Sequence, residues 1–273
     1  MGISLRLGAL IDESAKLWAG EAEIVRTYFQ SEGRSRETDR AWLERQCFKE
    51  VWGSGLTGRN ESLIQGWSKR LADWFPKIDQ GGDDGVDRYT VLEIAEALHE
   101  EFEHYCLFAD AYDAMAADGE PKITPMGLRD VEWKAEESLS ELRRDHRAEH
   151  GALGWASTRF TEGGYCTLFA EGMALGGDPD GHDGRNGLIA RACRSVYEDE
   201  FAHMLIGITE ADDPDMSDDD WQTFRQLSLM QLRHRLPMRN EQFGYPVGEA
   251  RMTAILNGDI EPLSFDYARA EAA

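Results

Sequence analysis

Apolar residues recur every three or four positions along this chain, and runs in which β-branched and polar residues alternate are absent, so the sequence predicts helices throughout and an all-α fold. The expected helices cover 5–31, 38–53, 60–75, 88–117, 127–149, 156–175, 187–210, 217–236 and 240–256. Clusters of Gly, Asp and Pro separate them, at 80–85, at 176–181 and at Asp212-Asp213-Pro214. Those residues favour turns and helix ends. Ser217, followed by three aspartates, has the form of a helix N-cap. At 273 residues the chain can bury one substantial core. The expectation is a single helical domain over 1–262 and a disordered tail over 263–273, where the sequence offers little to pack.

Charge narrows the function classes. Acidic residues number 52 against 29 basic ones, a formal net charge of -23, which disfavours phosphate neutralisation on nucleic acid and adsorption to an anionic membrane. A small-molecule substrate or a basic protein partner fits better. Charged residues interrupt every apolar stretch short of the ~20 residues a bilayer span needs, and the N-terminus has no small-residue cleavage signal, so a cytoplasmic location is expected. The cysteines Cys47, Cys106, Cys166 and Cys193 form no C-x-x-C pair, so no zinc knuckle or rubredoxin-type iron site is written here, and reduced thiols are expected. The acidic loop from Asp178 to Gly187 lacks the residue order of an EF-hand. Arg233, His234, Arg235 and Arg239 form a dense basic run that could dock an anion or simply be a solvated helix end.

Two segments carry the chemistry. Glu100-Glu101-Phe102-Glu103-His104 and Asp199-Glu200-Phe201-Ala202-His203 both contain E-x-x-H, and on a helix this spacing puts a carboxylate and an imidazole on one face, one turn apart. Glu101 falls in the stripe Val91, Ile94, Leu98, Tyr105, Phe108 and Tyr112. Glu200 falls in the stripe Cys193, Val196, Tyr197 and Met204. Both glutamates therefore point inward, and a buried carboxylate is costly unless a cation or a proton compensates it. One such pair is common on surface helices. Two, each with its acid on the apolar face and far apart in the chain, predict a dinuclear metal site.

With these motifs the chain resembles the ferritin-like di-iron carboxylate superfamily, a four-helix bundle in which two helices each give Glu-x-x-His and two others each give one Glu. Asp199 before Glu200 is similar to the oxygenase branch, where such an Asp orients a ligand histidine; here that would be His104. The resemblance implies a four-helix bundle with additional helices. Its metal ligands would be Glu101, His104, Glu200 and His203 together with two single glutamates. Reflecting Glu200 through a hairpin loop near residue 181 reaches Glu162, with Glu171 as the rival. Glu21 lies in the stripe Ser14, Leu17, Trp18, Ile24, Val25 and Tyr28, and Ala19-Gly20-Glu21 is similar to the first ligand helix of rubrerythrins and related quinone hydroxylases. The same reflection applied to Glu101, through a loop near residue 82, keeps Glu61 as its rival.

What the resemblance implies in function is a non-haem di-iron oxygenase or oxidase. It would bind two iron ions, with manganese as the other candidate metal, take dioxygen as co-substrate and oxidise or hydroxylate a small organic molecule. A reductase or ferredoxin would supply electrons, and a homodimer is compatible. The alternatives are a ferritin- or rubrerythrin-like ferroxidase or peroxide scavenger, and a helical scaffold without redox chemistry.

Overall fold

A computed structural model describes residues 3–52, 62–82 and 84–272. The helices are α1 (Leu5–Phe29), α2 (Arg36–Val51), α3 (Leu63–Trp74), α4 (Arg88–Ala114), α5 (Pro125–Leu128), α6 (Lys134–His150), α7 (Ala152–Phe160), α8 (Thr167–Ala174), α9 (Arg185–Glu210), α10 (Asp218–Gln242), α11 (Glu249–Leu256) and α12 (Tyr267–Ala272). Among the described residues there is no strand beyond an isolated bridge between Ile78 and Val86, and no helix is long and apolar enough to cross a membrane. The fold is all-α, as the apolar period predicts.

Local chemistry accounts for several helix ends. Ser4, Ser62, Asp87 and Ser217 each accept a hydrogen bond from a backbone N–H of the first turn they precede, satisfying a donor the helix cannot. Ser62 and Gln65 complete a capping box at α3.

Where one domain was expected, the chain forms two compact units, Met1–Trp42 with Trp133–Ala273, and Leu43–Glu132. The first is a helical bundle. In it α10 packs against α1, α6 and α7, α9 against α7 and α8, and α1 against α8 and α11. Leu7, Leu10, Ile11, Ile24, Phe160, Ile208, Phe224 and Leu236 are fully or almost fully buried in its core. In the second unit α3 packs on α4, and Cys47, Phe48, Val51, Trp52, Leu63, Phe108 and Leu128 are buried. The Trp52 indole N–H donates to the Pro125 carbonyl at 2.7 Å, tying the C-terminal end of α2 to α5.

Three segments depart from the sequence expectation. The helix expected over 156–175 is interrupted between α7 and α8 by four consecutive residues with positive φ: Gly163 (64°), Gly164 (54°), Tyr165 (56°) and Cys166 (53°). Two of the four are not glycine, so the turn carries real backbone strain that tertiary packing must hold. Pro237 does not end a helix: α10 continues to Gln242, its last turns carrying the inward-facing Arg235, Arg239 and Gln242. The tail expected to be disordered contains α12. Leu263 donates its N–H to the Ala15 carbonyl at 3.1 Å, and the ring of Phe265 packs on Trp18 and Tyr165 with centroids 6.1 and 5.3 Å away. The aromatic area that Phe265 buries offsets the cost of ordering the segment.

Candidate metal centre

In the second unit, α2 and α4 bring together Glu50, Glu101 and His104, with one potential ligand atom from each lying within 4.8 Å of the others. His104 is fully buried, Glu50 is 4% exposed and Glu101 is half-buried. Donors about 2.1 Å from one ion stand about 3.0–3.4 Å apart in octahedral or tetrahedral geometry, so side-chain adjustments of about an ångström close this group on a cation. Two carboxylates and one imidazole form a mixed oxygen and nitrogen set suited to a divalent transition metal. Three protein ligands leave positions open for other ligands.

The surroundings hold Glu50 in place and keep neighbouring groups neutral. The buried Gln46 side chain, one turn earlier on α2, donates its amide N–H to a Glu50 carboxylate oxygen at 2.6 Å. Burial pushes the Cys47 thiol well up from its ordinary pKa, and the charges of Glu50, Asp113 and Glu44 add to that rise. Burial likewise raises the Tyr105 phenol to about 12, with smaller contributions from Cys47, Cys106 and Asp113. At neutral pH both side chains stay protonated and add no negative charge beside the two carboxylates.

The other expected ligands lie in the first unit. Glu21 is 1% exposed, and among the described residues it enters no group of three metal-binding side chains. Its Oε2 accepts from Arg235 Nε at 3.0 Å, and its Oε1 accepts from Arg235 Nη2 at 2.8 Å and from Arg239 Nε at 2.9 Å. Burial alone would raise the pKa of this carboxyl, but the charges and hydrogen bonds of Arg235 and Arg239 outweigh it and hold the pKa below its ordinary value. The sequence argument that an inward-facing Glu21 needs a cation is met here by two guanidinium groups. Within the basic run of α10, Arg235 and Arg239 are accordingly not solvated, being 1% and 3% exposed, whereas Arg233 is exposed. Arg143 of α6 is also buried and bonds Gln231 and Thr161; burial presses its pKa down to about 10, which leaves it charged at neutral pH.

Glu200 is 8% exposed on α9 and His203 is half-buried one turn later. Glu200 faces the left-handed turn, where a Cβ placed on Gly163 would lie 3.7 Å from its Oε2. Glu162 is exposed at the start of that turn. Its rival Glu171 forms a two-bonded ion pair with Arg26. Glu61 lies outside the described residues. Among the described residues, Glu21, Glu162, Glu200 and His203 enter no three-ligand group.

Sequence reasoning did not single out Glu50. A signal for it existed, because Leu43, Cys47 and Glu50 follow the i, i+4, i+7 stripe that marks an inward face. Comparison of the chain with family models, with curated proteins and with solved structures gives no match.

Proposed function

We propose that the protein is a metal-dependent oxidoreductase in which Glu50, Glu101 and His104 hold iron that acts with dioxygen on a small organic substrate. The observation that carries this reading is the convergence of two carboxylates and one imidazole from α2 and α4 within 4.8 Å, at a largely buried position. Two carboxylates and an imidazole that converge at a part-buried position offer a divalent cation a ready set of ligands. Bound iron would supply one-electron chemistry and a coordination position for dioxygen. Glu50 and Glu101 would offset the charge of the ion, His104 would contribute an imidazole nitrogen, and Gln46 fixes the orientation of Glu50. Cys47 and Tyr105, kept protonated by burial, add no charge beside the two carboxylates. The second Glu-x-x-His pair, Glu200 and His203 of the first unit, is the candidate for a second iron.

The test is the metal content of protein expressed with iron and purified without chelator, combined with the optical change when dioxygen meets the anaerobic ferrous form. One tightly bound iron per chain with an oxygen-dependent absorption change supports the Glu50, Glu101 and His104 site. Two per chain, with one lost on His203→Ala, adds the Glu200 and His203 pair. Protein that takes up no iron after ferrous reconstitution overturns the proposal.

A further inference from the structure

The second unit has an apolar feature that the metal site does not use. Between α3 and α4 runs an open groove of about 520 Å³ lined by Ile64, Ala95, Leu98, His99, Phe102, Glu103 and Cys106. Along α4 the lining residues His99 and Cys106 share one position of a seven-residue repeat, and Ala95 and Phe102 share the position three residues on; Leu92 and the buried Ala109 continue the two positions beyond the groove. This is the a and d spacing with which a helix meets another helix. Leu92 is 49% and Phe102 47% exposed, so the stripe is only partly covered. The residue after each member of the second set is an exposed acid, namely Glu96, Glu103 and Asp110, which places a carboxylate at each e position along one edge. In coiled coils the e and g positions choose the partner by charge.

We propose that this groove docks an amphipathic helix of a partner protein, apolar on the face that enters the groove and basic on the flank that meets Glu96, Glu103 and Asp110. From Leu92 to Cys106 the seam runs about 21 Å, at 1.5 Å per residue. That length suits a partner helix of about four turns and exceeds the span of a small molecule. A second copy of the chain is disfavoured by charge: at -23, each copy would bring its own acidic edge to the same groove. The groove residues point away from the face of α4 that carries Glu101 and His104, because residues 99, 102 and 106 are roughly half a turn around the helix from 101, 104 and 108. Partner docking is therefore independent of the metal reading.

The experiment uses the full-length chain and a labelled synthetic helix with leucine at a and d and lysine at e and g, followed by fluorescence anisotropy at physiological salt. The lysine helix is expected to bind, and Phe102→Asp to weaken it at least about tenfold. The combined substitution Glu96→Lys, Glu103→Lys and Asp110→Lys is expected to weaken the lysine helix similarly and to create binding of the matching glutamate helix. Circular dichroism confirms that both variants keep their helical content. Lysine-helix binding that neither variant changes would be non-specific attraction to an acidic protein and overturns the proposal. So does a wild-type dimer in sedimentation that Phe102→Asp splits into monomers, because the groove would then belong to a second copy.

Discussion

The carboxylate of Glu21 on α1 and the guanidinium of Arg235 on α10 meet as a two-bonded pair with N···O distances of 3.0 and 2.8 Å, and both side chains are 1% exposed. Arg239 adds a third bond to the same carboxylate at 2.9 Å. Removing the shared acid strands two buried cations. Glu21→Gln is therefore expected to lower unfolding free energy by about 3–5 kcal/mol, the usual cost of breaking a buried pair from one side. Denaturant unfolding measures the loss, and iron content of the folded fraction should stay at the wild-type level. A variant that loses iron while keeping wild-type stability would return Glu21 to the ligand set.

The same pair predicts a pH dependence. Arg235 and Arg239 hold the Glu21 carboxyl below its ordinary pKa in the folded state. For a depressed acid the stabilisation is complete above the unfolded-state pKa, about 4.3 for glutamate, and it disappears as pH falls through the folded-state value. The difference in melting temperature between wild type and Glu21→Gln should be constant from neutral pH down to about pH 5 and shrink below it. A difference that persists at the lowest pH where the wild type still folds would place the effect in packing instead of charge.

The left-handed turn between α7 and α8 makes a third expectation. At Gly164 φ is 54°, and an added Cβ would lie 2.4 Å from both Arg235 Nη2 and Glu21 Oε2. Gly164→Ala combines αL strain of about 1–2 kcal/mol with displacement of the buried ion pair. Gly163→Ala bears similar strain, but the nearest atom to its Cβ is Cys166 Sγ at 3.4 Å, an ordinary contact. Thermal unfolding of the two variants should show the larger loss at residue 164. Equal losses would mean that strain alone determines the effect.

Which parts of this structure could be read beforehand follows from the range of the interactions involved. Helix content and the inward placement of Glu21, Glu101 and Glu200 are matters of local period, and the stripe rule reaches them directly. What compensates each buried acid is a matter of tertiary register. Arg235 meets Glu21 from a helix near the other end of the chain, and no local pattern announces that guanidinium groups, instead of a metal, sit beside it. Glu50 was missed for a related reason. Reflection through the loop near residue 82 treats the segment before α4 as its partner, whereas the carboxylate beside His104 comes from α2, with α3 lying between them in sequence. The interruption at Gly163 to Cys166 was hidden because Tyr165 and Cys166 carry no local preference for positive φ.

The hydrogen bond from Gln46 to Glu50 yields the last expectation. Both side chains lie on α2 four residues apart, at 3% and 4% exposure, and the amide donor occupies one carboxylate oxygen at 2.6 Å. With that oxygen fixed, Glu50 presents its remaining lone pairs in one orientation, and a metal binding there need not pay the entropy of ordering the carboxylate. Gln46→Leu should lower iron or cobalt affinity by about 10- to 100-fold, the range typical for groups that orient a metal ligand. Glu50→Gln and His104→Ala remove ligands outright and should abolish tight binding while circular dichroism stays helical. Cobalt absorption separates positioning from general destabilisation. A Gln46→Leu variant whose bound cobalt spectrum is shifted has a reoriented ligand, whereas an unshifted spectrum and unchanged affinity would show that Gln46 serves only to satisfy a buried acid.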